Sequence, residues 1–392
     1  MQPETVLILD GQAVQTLTVA RCLHKSGYRV VLLCDGKSNY GYHTRYADDR
    51  HIGPHSNDEE AYKDCLFALL QQYKIDVIIP MTDDSARFAS RYKADIMKHN
   101  TSVLIPDYDI FLQAYDKNRL MALCKKQGYP HPRTIDMSIV DYEQSEEVRS
   151  FPYPALLKPN FMTGGRGMTF IHNYEELLRC YPTIQAQYGD CHLQQFIQPG
   201  GRQVKVELFV DKQHLLQYGS VIHKQRYYPV NGGSSCCNIT IDDPTIVRIC
   251  ALVLKDIGWI GFADFDLIED PTTGSLLIME INPRVPACLK STYVSGLDYA
   301  TMIADATLNK PLKKYTYSPG KQLRHLGFEI LWFLKSPTRF HTSPCWFKFI
   351  GKNIYYQDLS WNDIIPFLCG TWGNIRKQLN PAFRKSKAGL DQ

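Results

Sequence analysis

Two apolar runs decide the fold: Gly261-Phe-Ala-Asp264-Phe-Asp266-Leu267 and Leu276-Leu-Ile-Met-Glu280-Ile-Asn282-Pro-Arg284, joined by a turn around Pro271-Thr-Thr-Gly274. Both alternate as strands do. On a strand every second side chain shares a face, so Asp264 and Asp266 point one way, and Glu280, Asn282 and Arg284 point one way. The spacing predicts a hairpin that aligns these polar faces, with Leu277, Met279 and Ile281 on the opposite face in a core. Two carboxylates and an amide oxygen make a hard-oxygen site suited to Mg2+ that bridges phosphates. Arg284, two residues further on, is placed to hold a transferring or developing anion. The plainer reading is the solvated face of an edge hairpin, but the density of functional groups over an apolar underside argues against it.

Upstream, Pro154-Ala-Leu-Leu-Lys158-Pro ends an apolar strand, and the loop after it carries Gly164, Gly165 and Gly167. Such a loop lets backbone N–H groups close over phosphate oxygens, with the lysine as a nearby point charge. It is not a Walker A loop, because Gly-Lys-Ser/Thr is absent. Two further segments follow: His192-Leu-Gln194-Gln195-Phe196-Ile197 leading to Val204-Lys-Val-Glu207, and His223-Lys224-Gln225-Arg226 ahead of Gly232-Gly233-Ser234-Ser235. Taken singly, these are a strand-to-loop junction and a basic surface turn.

The N-terminal stretch alternates strand and helix: Thr5–Leu9, a Gly11 turn, a helical pattern ending at Ser26-Gly27, and the strand Tyr28–Cys34. A helix near Glu59–Tyr73 and strands at Val77–Pro80 and Ser102–Pro106 continue the pattern, which reads as a small doubly wound parallel-sheet domain over 1–106. Its first turn lacks the G-x-G-x-x-G spacing of a dinucleotide site, so it reads as scaffold. Asp107 to Tyr129 reads as helical and 134–154 as irregular and acidic; short strands and helices then alternate to about Leu312.

With 392 residues, two or three domains are expected. A net charge of +4 is too mild for a dedicated nucleic-acid binder. It is also uneven: from Leu331 onward there are nine Lys/Arg against three Asp/Glu, and four of the five Trp lie there. Aromatic residues beside cations suit an anionic membrane interface; the equal alternative is a small subdomain that packs its Trp and Phe on the body. The 12 Cys form no C-x-x-C pair and read as reduced structural thiols. The start, Met1-Gln2-Pro3-Glu4, carries no positive leader, and no apolar run is long enough to span a bilayer. The location expected is cytoplasmic, with peripheral attachment at the inner face of the membrane if the interface reading of the tail holds.

Taken in order, Asp116-Lys117, Lys158-Pro with its glycine loop, Gln194-Gln195-Phe196-Ile197, Glu207, Gly232-Gly233, Asp266 and Glu280-x-Asn282-x-Arg284 resemble the ATP-grasp superfamily. The likeness is to its carboxylate–amine ligases and carbamoyl-phosphate-synthase-type domains, over roughly residues 1–312. The resemblance implies an α/β chain in three parts. A pre-ATP-grasp domain (1–106) precedes an ATP-grasp clamp of two subdomains (107–312, with a flexible lid at about 130–195), and an aromatic, basic extension follows (313–392). It implies ATP and Mg2+ as cofactors, with Mn2+ as an alternative metal. By position, Lys117 and Lys158 contact phosphates, and Gly164, Gly165 and Gly167 close over them. Gln194, Gln195 and Ile197 form the adenine hinge, and Glu207 holds the ribose. Asp266, Glu280 and Asn282 ligate the metal, while Arg226 and Arg284 steady the γ-phosphate and acyl phosphate. The hinge position often filled by Glu is Gln here. The implied reaction joins a small carboxylate to an amine through an acyl phosphate, in a chain that can form a homodimer. Bicarbonate chemistry of the carbamoyl-phosphate type, or nucleotide binding without catalysis, are the competing readings.

Overall fold

The computed structural model describes residues 2–37, 40–161, 167–230 and 233–379. The first sheet is built from β1 (Thr5–Leu9), β2 (Arg29–Cys34), β3 (Asp49–Ile52), β4 (Val77–Pro80) and β5 (Ser102–Val103) in the order β3-β2-β1-β4-β5, with every pair parallel. Helices α1 (Thr16–Lys25), α2 (Glu59–Gln72), α3 (Asp83–Arg91) and α4 (Lys93–Met97) connect the strands. All five residues of β1 are buried, as expected of a central parallel strand covered on both faces. The sequence reading missed β3, whose Asp-Arg-His-Ile is polar and half-exposed at the sheet edge. The capping box of Thr82 and Ser85 opens α3, which places Asp83 and Asp84 at the C-terminal edge of the sheet.

Helices α5 (Tyr108–Tyr115) and α6 (Lys117–Gln127) lead to a second sheet. Asp116 caps α6 by accepting from the backbone N–H of Asn118 and Arg119, and Gly128 closes it in the left-handed conformation. The sheet holds β6 (Thr134–Asp136), β7 (Ala155–Pro159), β8 (Thr169–Ile171) and β9 (Cys191–Gln195), antiparallel in the order β6-β9-β7-β8. With α7 (Glu146–Arg149) and α8 (Tyr174–Tyr188) it encloses its own core around Leu157, Leu193 and Tyr181. The stretch read as irregular thus contributes both an edge strand and a helical turn.

The third sheet has the order β14-β13-β10-β11-β12-β15-β16. Its strands are β10 (Gln203–Val210), β11 (Leu216–Tyr228), β12 (Ser234–Ile241), β13 (Gly261–Glu269), β14 (Leu276–Asn282), β15 (Gln322–Arg324) and β16 (Ile354–Tyr356). All pairs are antiparallel except β15–β16. The expected hairpin is present, with Asp264 opposite Asn282 and Asp266 opposite Glu280. Gly261 opens it at φ +89, where an added Cβ would lie 2.5 Å from the Leu104 carbonyl oxygen, so only glycine fits. One expectation is corrected. The register skips Met279, pairing Leu267 with Ile278, so Ile278 and Ile281 are buried while Leu277 and Met279 are only half-buried. A bulge inserts one extra residue and reverses the faces on its far side.

Helices α9 (Pro244–Ile257), α10 (Lys290–Val294) and α11 (Tyr299–Thr307) pack around this sheet, followed by α12 (Leu326–Lys335) and α13 (Ile365–Leu379). Residues past 313 extend the sheet itself: β15 pairs with β12, and α12 lies against β11 and β12. Asp363, just ahead of α13, accepts from the Thr44 hydroxyl at 2.6 Å, which ties the tail back to the first sheet.

Candidate functional site

One face of the third sheet gathers the polar residues. Lys205 and Glu207 stand on β10, directly opposite Asp266 and Asp264 of β13. The Lys205 ammonium lies 2.6 Å from Asp264 Oδ2 and 2.8 Å from Asp266 Oδ2, and Lys224 of β11 lies 2.6 Å from Asp266 Oδ1. The Asn282 amide N–H donates to Asp266 Oδ2 at 3.0 Å and to Asp264 Oδ2 at 3.2 Å, which leaves its carbonyl oxygen facing away from both carboxylates. Although burial works the other way, Lys205 and Lys224 hold Asp266 well below the usual carboxylate range.

Lysines from the other side of the cleft meet this face. Lys117, first residue of α6, lies 3.3 Å from Glu280. Lys158, near the end of β7, donates to the Gln194 side-chain oxygen at 2.6 Å. Burial brings Lys158 down to about 8, with the Lys117 charge adding to the effect and Glu280 opposing it. Across the register from Lys158 is His192, 1% exposed, which burial and the two lysine charges keep neutral.

Gln195 accepts from the Arg133 backbone N–H at 3.3 Å, and Ile197 is half-buried. Both belong to the stretch where the chain passes from β9 into β10, from the second sheet to the third. Gly167 has φ +71, and a Cβ there would meet Pro159 at 2.8 Å. Gly164 and Gly165 lie outside the described residues, as does Gly232.

Three expectations are corrected. Arg226 is 1% exposed and each of its three guanidinium nitrogens is engaged: Nε and Nη2 on Glu329 at 3.2 and 2.8 Å, and Nη1 on the Pro344 carbonyl at 2.6 Å. It braces α12 and is buried away from solvent. Glu207 is sealed at 0% exposure beneath Tyr299, whose hydroxyl donates to its backbone carbonyl at 3.3 Å, and Ser220, whose hydroxyl donates to its carboxyl at 3.2 Å. A ribose cannot reach it. Asp266 already accepts from Lys205, Lys224 and Asn282, whereas the neighbouring Asp264 keeps a buried Oδ1 with no partner. The aspartate oxygen left without a partner is therefore Asp264 Oδ1, on a residue that is itself 0% exposed.

Among the described residues no three His, Cys, Asp or Glu side chains converge as a metal-binding group. The oxygen donors here are Asp264 Oδ1, which has no partner, the Asn282 carbonyl oxygen, which accepts from Arg284 Nη2 at 3.4 Å, and the Glu280 carboxylate, 3.3 Å from Lys117. That set fits Mg2+, which takes one or two carboxylates and completes its octahedron with phosphate and water. Arg284 lies at the end of this row, 3.1 Å from Asp83 of α3, and so joins the first sheet to the third. Sequence reasoning passed over Lys205 and Lys224. The signal was there: a lysine between Val204 and Val206, on the same strand face as Glu207, needs an anion when that face is buried.

Two antiparallel sheets that hold a lysine-lined cleft over an oxygen-donor floor define a nucleotide clamp of the ATP-grasp type. The family model "Carbamoyl-phosphate synthase L chain, ATP binding domain" matches residues 116–315, just over half of the chain, and the chain belongs to that family. Among relatives, a D-aspartate ligase of Enterococcus faecium is 25% identical over 261 residues, covering 62% of this chain and 61% of its own. The carbamoyl phosphate synthase large chain of Thermomicrobium roseum is 23% identical over 308 residues, covering 75% of this chain and 28% of its own. The chain thus spans less than two thirds of either relative. Among solved structures, the biotin carboxylase domain of Hydrogenobacter thermophilus 2-oxoglutarate carboxylase, in complex with MgADP and bicarbonate, superposes with TM-score 0.68 at 17% identity, covering 82% of this chain and 74% of that one. The N5-carboxyaminoimidazole synthetase of Staphylococcus aureus, complexed with ADP, gives 0.62 at 18%, covering 80% of each. At these identities the likeness establishes the fold.

Proposed function

We propose that the chain is an ATP-dependent carboxylate–amine ligase. The observation that carries this reading is the meeting of Lys117 with Glu280 at 3.3 Å across the cleft, beside the Asp264 and Asn282 oxygens and within one row of Arg284. Lys117 and Lys158 draw in the phosphate tail of ATP, and Arg284, already oriented by Asp83, receives the substrate carboxylate. The carboxylate oxygen attacks the γ-phosphorus, ADP leaves, and the acyl phosphate is displaced by an amine with release of phosphate. Mg2+, when bound by Asp264, Glu280 and Asn282, neutralises charge on the phosphates. Positioning and charge neutralisation do the rest, since no covalent protein intermediate is needed. Similarity to a D-aspartate ligase supports an amino-acid-like carboxylate.

Hydroxylamine tests the reaction directly, because it traps acyl phosphates as hydroxamates. ADP and phosphate release that depends on an organic carboxylate, with hydroxamate formed and both lost in Glu280→Ala, is the expected result. Turnover with bicarbonate alone points to the carbamoyl-phosphate type of chemistry, and nucleotide binding without turnover overturns the enzyme reading.

Among the described residues no helix is long and apolar enough to cross a membrane. Peripheral contact through the tail is supported by exposed Phe340, Phe347 and Ile350 beside Lys348 and Arg339, in a stretch from 330 to 357 that carries no exposed acid. Sedimentation with anionic vesicles, lost in a Phe340→Ser/Phe347→Ser variant, is the corresponding test. Homodimer formation is read from the mass in solution.

A further inference from the structure

The three carboxylates of the floor are each met by an ammonium. Asp264, Asp266 and Glu280 all lie within 3.3 Å of a lysine nitrogen, from Lys205, Lys224 or Lys117. Lys205 differs from the other two lysines because it touches both aspartates. Its position is built in. The residue is 8% exposed, it stands between Val204 and Val206, both 0% exposed, and it faces Asp266 directly across the β10–β13 register. Two buried carboxylates that share one side-chain neighbour repel each other and demand a cation between them. In a site without such a lysine, the repulsion is relieved by a shared proton or by another cation such as a metal ion. Here the Oδ2 atoms of both aspartates are already bridged by an ammonium, and the far oxygen of Asp266 is capped by Lys224. Asp264 Oδ1 alone has no partner; the Asn282 carbonyl oxygen accepts from Arg284 Nη2 at 3.4 Å and Glu280 faces Lys117 at 3.3 Å, so an ion entering here displaces those two contacts, and the three oxygens make a set for one ion.

We propose that Lys205 is a resident cation that takes the place of a second divalent ion between Asp264 and Asp266, so that the chain carries one exchangeable divalent ion. The inference rests on the ligase reading only for the nucleotide that completes the coordination of that ion. Two consequences follow: the metal-free chain is folded with carboxylate repulsion at its floor reduced by the ammonium, and removal of the lysine charge turns the aspartate pair into a metal site.

Equilibrium dialysis of Mn2+ tests this, with and without saturating ADP, on the wild type, Lys205→Met, Lys205→Arg and the double variant Lys205→Met/Asp266→Asn. With ADP the wild type should hold about one Mn2+ per chain and Lys205→Met about two, while Lys205→Arg and the double variant stay at about one. Without ADP, EDTA should lower the Tm of Lys205→Met by more than that of the wild type, and Mn2+ should restore it. Without ADP, Lys205→Met should bind Mn2+ at least about tenfold more tightly than the wild type. Two Mn2+ in the wild type overturn the proposal whether or not Lys205→Met folds. So does a Lys205→Met variant that keeps the wild-type stoichiometry and the wild-type response to EDTA. A chain that binds no ADP overturns the ligase reading instead, and the nucleotide-free arm still decides the role of Lys205.

Discussion

Lys158 and Glu207 show how burial alone sets a charge state. The Lys158 ammonium, brought to about 8 by burial, is charged below that pH and neutral above it. Nucleotide affinity should therefore fall as pH climbs through about 8, by at most about tenfold per unit. Lys158→Met should bind weakly and without that step, and titration with a fluorescent ADP across the range reads both. The same shift costs the folded state at neutral pH, a cost that fades as pH rises from about 8 toward 10.5, because the unfolded chain then holds the extra proton. Glu207 shifts the opposite way: burial, with the charge of Asp264 adding to it, pushes its carboxyl up to about 8 from 4.5. The folded chain keeps a proton there that the unfolded chain releases, so stability falls as pH rises between those values. Glu207→Gln should remove this loss, gaining on the wild type by at most about 1.4 kcal/mol per pH unit in denaturant titrations. A constant difference between acid and neutral pH would rule it out. Residue types and spacing singled out Glu280, Asn282, Arg284, Lys117 and Lys158, and the fold sets Lys117 3.3 Å from Glu280. They misplaced Glu207 and Arg226, because alternation along a strand says nothing of what lies over the face.

At the scale of elements, the hairpin was legible from its own alternation and the bulge at Met279 was not. A bulge is decided by how β14 docks on β13, not by the composition of either strand. The tail element α12 is held by a buried Arg226–Glu329–Arg324 triad, with contacts of 2.8 and 3.1 Å and all three residues at or below 1% exposure. Removing the shared anion strands two guanidinium groups in a low-dielectric interior. Glu329→Gln should cost about 3–5 kcal/mol in chemical denaturation, whereas exchanging all three residues for apolar ones of similar size should cost far less. An unchanged midpoint in Glu329→Gln would show that the triad is open to water.

For the whole molecule, the third sheet does not stop where the family-like segment stops. β15 covers the edge of β12, and α12 covers Arg226 and the Cys236–Cys237 pair, both buried. A chain cut after Pro319 would expose an unpaired strand edge and the orphaned Arg226. It should aggregate or melt well below the full chain when followed by calorimetry and light scattering. A soluble truncation with an unchanged Tm would mean that the tail is an appendage. The uneven charge that marked the tail as different material is real, yet the tail is structurally continuous with the body through β15 and through the Asp363–Thr44 contact.

The sequence by itself determined what depends on neighbours in the chain: the parallel sheet of the first hundred residues, the polar hairpin, the lysine-bearing strand, and the order of segments that marks an ATP-grasp chain. Tertiary structure alone decided the partners. Lys205 became the counter-ion of two aspartates, Asp264 kept the oxygen without a partner, Glu207 was sealed and Arg226 was given to α12. The physical reason is that periodicity reports which side of its own strand a residue occupies, while charge pairing and burial are set by register between strands distant in sequence.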